Sequence, residues 1–233
     1  MSAGATSGSP DVAVIGGGIV GLATATFLAE AGARVTVYER EAIAAGASGR
    51  NSGVVQHPFD PVLVPLYEET VRIYRRLETA VGTRIAAFDD PAGLLLVTHH
   101  PPVVRALAAD LGARFPHLNA TALEPDELHR LEPAMSPEVA ACRFDMGYPV
   151  VPAAPCYAFA NWAERLGVTI RLGKDAKPAI EGDRCVGVHV GGRIEPAGAV
   201  VVAAGPWAPE VVDPTGRWRP IEPRWGVVVE TLL

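Results

Sequence analysis

The chain has 233 residues, 49% of them hydrophobic and 20% charged, a globular composition long enough for one large or two small domains. A net charge of -6 without any basic run argues against nucleic-acid binding. Cys142, Cys156 and Cys185 have neither CxxC nor histidine spacing, so the expectation is buried, reduced thiols in a cytoplasmic protein rather than disulfides or a zinc centre. Residues 1–10 read as a small, polar, flexible leader without the basic start of a secretory signal. The one apolar stretch that follows is broken by Gly16 to Gly18 and by Glu30, too soon for a membrane-spanning helix.

That stretch, DVAVIGGGIVGLATATFLAEAGARVTVYER at residues 11–40, is the most informative part of the chain. Val12, Val14 and Ile15 belong to a short apolar run suited to a parallel strand buried on both faces. Gly16, Gly18 and Gly21 follow in G-x-G-x-x-G spacing. The first permits a tight turn, the second lets a pyrophosphate approach the backbone, and the third lets a helix pack closely on the strand. Residues 19–31 read as that helix, with its N-terminal N–H groups free for phosphate, and Gly32 as its C-cap. A second strand at residues 35–38 delivers Glu39, about eighteen residues past Gly21, where an acid accepts hydrogen bonds from ribose hydroxyls. Arg40 alone does not indicate a 2′-phosphate. By itself the fingerprint serves NAD or FAD.

Residues 44–53 lack hydrophobic periodicity and read as a loop whose glycines and serines expose main-chain N–H groups to a polar ligand. Helices are expected at residues 62–81, 103–115 and 125–131, with strands at 93–98 and 139–144. This middle region has no glycine fingerprint and reads as a domain inserted into the nucleotide fold. A helix at 152–165 and strands at 168–172, 186–190, 193–195 and 199–203 follow, joined in part by glycine turns. The last strand runs into Ala203, Ala204 and Gly205, small residues that invite close approach of a ligand.

The segment 11–40, GASGRNSG (46–53), the D-x-G-x-x-V-x-P stretch at 145–152, GVTIRLG (167–173) and VVVAAGPWAP (200–209) together resemble the D-amino-acid oxidase family of FAD-dependent oxidoreductases. The resemblance includes glycine oxidase, sarcosine oxidase and D-amino-acid dehydrogenase-like members. It implies an α/β fold: an FAD-binding, Rossmann-like domain of the glutathione-reductase type, at 11–55 and 150–215, with an inserted α+β substrate domain at 56–149 and 216–233. It further implies FAD on Gly16, Gly18 and Gly21, with Glu39 at the adenosine ribose and Arg40 beside the adenosine half. Ser48, Arg50, Asn51, Ser52 and Gly53 would follow the ribityl chain, Ala176 would meet adenine by its main chain, and Ala204, Gly205 and Trp207 would lie against the cofactor. The activity implied is hydride transfer from a C–H alpha to an amine, in an amino acid or secondary amine, to flavin N5. Oxygen or another acceptor then takes the electrons. The alternatives are an FAD-dependent hydroxyacid dehydrogenase and a non-catalytic FAD-binding remnant or partner subunit. Family members continue well past the equivalent of RWGVVVE (224–230), so the resemblance implies a C-terminally truncated product or fragment, or a half-protein completed by a second chain. Its fold would be incomplete at the C-terminus, and the missing part would carry the carboxylate-binding arginine and close over the flavin.

No catalytic residue is assigned. His57 reads as structural or surface-exposed, His99 and His100 as solvated, and Arg224 as solvated or ion-paired. Trp207 and Trp225 read as packing residues, with position favouring cofactor contact for Trp207. Residues 225–233 read as an apolar strand.

Overall fold

The computed structural model describes residues 10–222, 224 and 226, so the leader at 1–9 and the strand expected at 225–233 lie outside the described residues. The described chain forms two compact units. The first comprises residues 10–52, 74–85 and 151 onward, and the second residues 53–73 and 86–150. No described helix is long and apolar enough to cross a membrane.

The first unit is built on a four-stranded parallel sheet of β1 (Val12–Ile15), β2 (Val35–Glu39), β8 (Thr169–Leu172) and β12 (Ala199–Val202), in the order β12-β1-β2-β8. Parallel strands need both faces covered, and the alternating side chains achieve this. Val14 and Val37 point to one face, under α1 (Ile19–Glu30) and α5 (Ala154–Arg165), where Ala25, Ala163 and Val168 complete the cluster. Ala13, Ile15 and Tyr38 point to the other, against Ala176, Val188 and Val190 of an antiparallel meander: β9 (Ala176–Glu181), β10 (Arg184–Val190) and β11 (Arg193–Pro196). Helices α1 and α5 meet through Phe27, edge-on to Phe159 at 6.0 Å, and through Thr26 Oγ1, which donates to Leu22 O at 2.8 Å and to Phe159 O at 3.3 Å. On the meander side, Glu195 accepts from the Tyr38 hydroxyl at 2.7 Å and pairs with Arg171, whose guanidinium lies over the Tyr38 ring. Burial and the Glu195 carboxylate push the Tyr38 phenol up to about 12.

The second unit centres on an antiparallel sheet in the order β4-β6-β5: β4 (Leu94–Thr98), β6 (Ala140–Phe144) and β5 (Thr121–Leu123). Helix α3 (Pro101–Arg114) covers one face, with Val104, Leu111 and Phe115 packed against Cys142 and Phe144. Leu128 of α4 (Pro125–Leu131) joins Val139 and Ala141 in a second cluster. That helix starts in a capping box, Glu124 and Glu127 each accepting from the other's backbone N–H. A two-stranded pairing of β3 (Val54–Val55) and β7 (Tyr148–Pro149) brings the ends of the unit's chain segments together. Helix α2 (Val64–Val81) gives its first half to this unit and residues 74–81 to the first. The structure adds the strands β3, β5, β7 and β9 to those read from the pattern. It also corrects the expectation of three buried thiols: Cys142 and Cys156 are buried, but Cys185 is exposed, beside an irregularity in the β9–β10 pairing.

His57 is structural, and buried rather than on the surface. It is only 2% exposed, boxed edge-on by Tyr67, Phe115 and His117, with its Nε2 3.3 Å from His117 Nε2 and its Nδ1 without a hydrogen-bond partner. Burial, then the charge of His117, hold its pKa below the ordinary value, against the weaker pulls of the Pro58 backbone and of Glu68. In the unfolded chain the ring takes up a proton first. The stability from this site is therefore complete above about pH 6.5 and is lost as the pH falls through the lowered folded value. His57→Phe, which keeps the aromatic box, is expected to flatten the acid side of a melting-temperature profile. An unchanged acid limb would exclude His57 as its source.

Candidate functional site: the glycine turn and its loop

Strand β1 leads into a turn that only glycine fits at two places. At Gly16, with φ of +116°, a Cβ would stand 2.4 Å from the Ala203 carbonyl oxygen. At Gly21 a Cβ would stand 2.1 Å from the Gly16 carbonyl oxygen, so its absence lets α1 press onto the turn. Ala203, just past β12, closes the third side and donates its N–H to Ile15 O at 2.8 Å. Gly18 is extended, stands at the N-cap of α1 and supplies no capping side chain, and the helix's first turn carries no acid. This leaves the helix N-terminus suited to an anion.

Glu39, at the end of β2, turns its carboxylate under this turn. Oε2 accepts from Gly17 N at 2.6 Å and Oε1 from Glu41 N at 2.8 Å. A carboxylate offers about four acceptor positions, so each oxygen retains capacity for a hydroxyl donor.

The loop at 44–53 is compact. Ala44 is 5% exposed and left-handed, with φ of +60°, and its N–H reaches Gly17 O at 3.0 Å. Gly49 packs so tightly on it that a Cβ would lie 2.3 Å from Ala44 O. The single turn Ala47–Gly49 then carries Ser48 to the helix, where its Oγ accepts from Ile19 N at 3.0 Å. The same Ser48 side chain bears on Cys156 of α5, opposing the rise to about 11 that burial imposes on that thiol. Asn51 holds the turn from below, its Nδ2 donating to Ala47 O and Ser48 O, both at 3.0 Å. Trp207, in the turn after β12, lies under the Arg40 guanidinium, 4.4 Å from ring centroid to carbon, and against Gly46.

The structure therefore brings Gly16, Gly18, Gly21, Glu39, Arg40, Ser48, Asn51 and Trp207 into one neighbourhood of the first unit. Ala204 and Gly205 follow Ala203 there, Arg50 and Ser52 are exposed at the loop's end, and Ala176 is buried in β9 opposite Val190. Gly53 belongs to the second unit, where its carbonyl accepts from Val150 N at 2.8 Å. Residues not singled out from the pattern also matter: Gly17 as donor to Glu39, Ala44 as the loop's pivot and Gly46 as the seat of Trp207. A cleft of about 350 Å³ lined by Val81, Arg84, Ile85, Val151, Tyr157 and Asn161 contains none of these residues. Among the described residues no group of three or more metal-ligating side chains occurs. His99 and His100 are exposed, and Arg224 pairs with Glu222 at 3.0 Å.

A parallel sheet with a glycine turn, an acid at the end of the second strand and a covering meander defines a dinucleotide-binding domain, and comparison with known proteins gives the family. The sequence model of the FAD dependent oxidoreductase family, DAO, matches residues 11–232, and the chain belongs to that family. It is similar to mitochondrial dimethylglycine dehydrogenase of Rattus norvegicus, 27% identical over 221 residues, covering 91% of this chain and 25% of that protein. Among solved structures it resembles glycine oxidase from Bacillus cereus, with TM-score 0.71, 25% identity, and coverage of 87% of this chain and 58% of that one. It likewise resembles L-proline dehydrogenase from P. horikoshii, with TM-score 0.72, 25% identity, and coverage of 87% and 55%. The chain thus spans a quarter of that relative and just over half of these structures. FAD is the cofactor of the family, and the site fits it: the turn is stripped of side chains, the helix N-terminus lacks an acid and Glu39 has acceptor capacity to spare.

Proposed function

We propose that the first unit is the FAD-binding part of an oxidoreductase acting on amino acids or other amines. The observation that carries this reading is the Glu39 carboxylate fixed beneath the glycine turn, each oxygen holding one backbone N–H and keeping room for a ribose hydroxyl. Gly16, Gly18, Gly21 and the start of α1 would take the pyrophosphate. Arg40 and the main chain at Ala176 would serve the adenosine half, and Ser48, Arg50, Asn51 and Ser52 the ribityl side. The small residues Ala204 and Gly205 would leave room beside the cofactor. When bound, FAD supplies the two-electron acceptor, taking at flavin N5 a hydride from the C–H alpha to the amine and passing the electrons to oxygen or another acceptor. The protein's part is placement and charge. Similarity to proteins named glycine oxidase, L-proline dehydrogenase and dimethylglycine dehydrogenase supports an amino-acid or N-methylated amino-acid substrate.

The test is anaerobic mixing of the FAD-loaded protein with amino acids, N-methyl amino acids and 2-hydroxy acids while the visible flavin band is followed. Bleaching by an amine is the expected result. Bleaching by hydroxy acids alone would overturn the amine assignment, and no bleaching would favour a remnant or partner subunit. Glu39→Ala is expected to weaken FAD binding by about 1.5 to 3 kcal/mol, the worth of charge-assisted hydrogen bonds, in a calorimetric titration.

A further inference from the structure

Trp207 stands in contact with two parts of the loop that follows Glu39. The Arg40 guanidinium covers its ring at 4.4 Å, and Gly46 lies so near that a Cβ there would be 3.4 Å from the ring carbon Cζ3. Between those two points the chain makes its left-handed turn at Ala44, a conformation that costs an alanine about 1 to 2 kcal/mol. Something must hold it. Gly17 O holds Ala44 from the turn side, and Ser48 caps Ile19 N at the far end. Trp207 is the one bulky side chain that meets the loop at both Arg40 and Gly46 among these contacts.

We infer that Trp207 is a positioning residue: with Arg40 it latches residues 40–50 in the folded form that brings Ser48 to the N-terminus of α1, and so sets the cofactor site's shape. The link to the cofactor rests on the FAD reading above; the latch itself does not. The Arg50 side chain is already on the surface, but its backbone is held in the turn, its N–H donating to Ala47 O at 3.2 Å; opening the latch frees that backbone for a protease. Limited trypsin digestion therefore reports the open population at the Arg50–Asn51 bond, because cleavage follows the fraction of open chain when opening is fast.

In Trp207→Ala, cleavage after Arg50, followed by mass spectrometry, is expected to rise about two- to fivefold, the range that a lost cation–π contact at an exposed arginine carries. Trp207→Phe should restore most of the protection, since it keeps a ring against Gly46. Arg40→Gln, a change at an exposed residue without risk to the core, should give an intermediate rise. Overall melting temperature in Arg40→Gln should stay close to wild type while the local cleavage changes. FAD dissociation constants should rise about two- to fivefold in Trp207→Ala and be rescued in Trp207→Phe. Unchanged cleavage after Arg50 in both Arg40→Gln and a folded Trp207→Ala overturns the latch. Accelerated cleavage with unaltered FAD affinity overturns its link to the cofactor. A wild-type chain that binds no FAD defeats the functional reading instead, and the cleavage series still decides the latch.

Discussion

Gly21→Ala is expected to destabilise the first unit by about 3 kcal/mol or more, the upper end of what overpacking costs. The added methyl would stand 2.1 Å from the Gly16 carbonyl oxygen and 3.3 Å from the Ala203 side chain, and neither backbone neighbour is free to yield. Gly16 cannot shift away, because its own Cβ position already faces Ala203 O at 2.4 Å. Helix α1 would have to lift from β1 and β12, uncovering the cluster around Val14 and Ala25. Gly32→Ala is the control. Nothing lies within 4 Å of its Cβ position, so only the left-handed backbone, at φ of +91°, is charged, about 1 to 2 kcal/mol. Urea unfolding of the two variants checks this. A Gly21→Ala cost no greater than that of Gly32→Ala would refute the close packing at the turn.

Gly18→Val should act on the cofactor instead of the fold. The residue is extended, a conformation that valine adopts readily, and the atom its Cβ would meet is Ser48 Oγ at 3.0 Å, the end of a side chain that can rotate. Displacing it forfeits the hydrogen bond to Ile19 N, worth about 0.5 to 1.5 kcal/mol. The isopropyl group, however, would stand at the helix N-terminus, where the pyrophosphate is proposed to lie. Clashes of that kind cost about 1 to 3 kcal/mol, so FAD affinity should fall about ten- to hundredfold or be lost. Calorimetric titration beside a thermal melt separates the two effects. Undiminished FAD binding in a folded Gly18→Val would displace the pyrophosphate from this turn.

The segment from Asp11 to Glu39 was legible in the sequence because each of its signals is local. Alternation of buried valines, glycine spacing and the acid at the end of the second strand all fall within one strand–helix–strand unit, and the structure places its strands in the parallel register of β12, β1 and β2. The loop at 44–53 was legible as a loop but not as a folded one. Its shape depends on Ala44 taking a left-handed backbone that alanine seldom adopts and on Gly49 closing over it, neither of which composition reveals. Strand β9 escaped the pattern because Lys177 and Pro178 interrupt the apolar alternation, although Ala176 and Ala179 are buried. The burial of His57 arises from Phe115 and His117, far along the chain, and no periodicity joins residues so separated. Cys185 deceived because it lies towards the β9–β10 hairpin end, paired opposite the exposed Ile180.

The central claim is that the glycine turn, Glu39 and the loop through Ser48 together hold FAD. The most direct measurement is the absorbance spectrum of the purified chain after mixing with FAD and removal of free cofactor by gel filtration. Flavin bands eluting with the protein in equimolar amount are predicted. A folded chain that elutes colourless would contradict the claim.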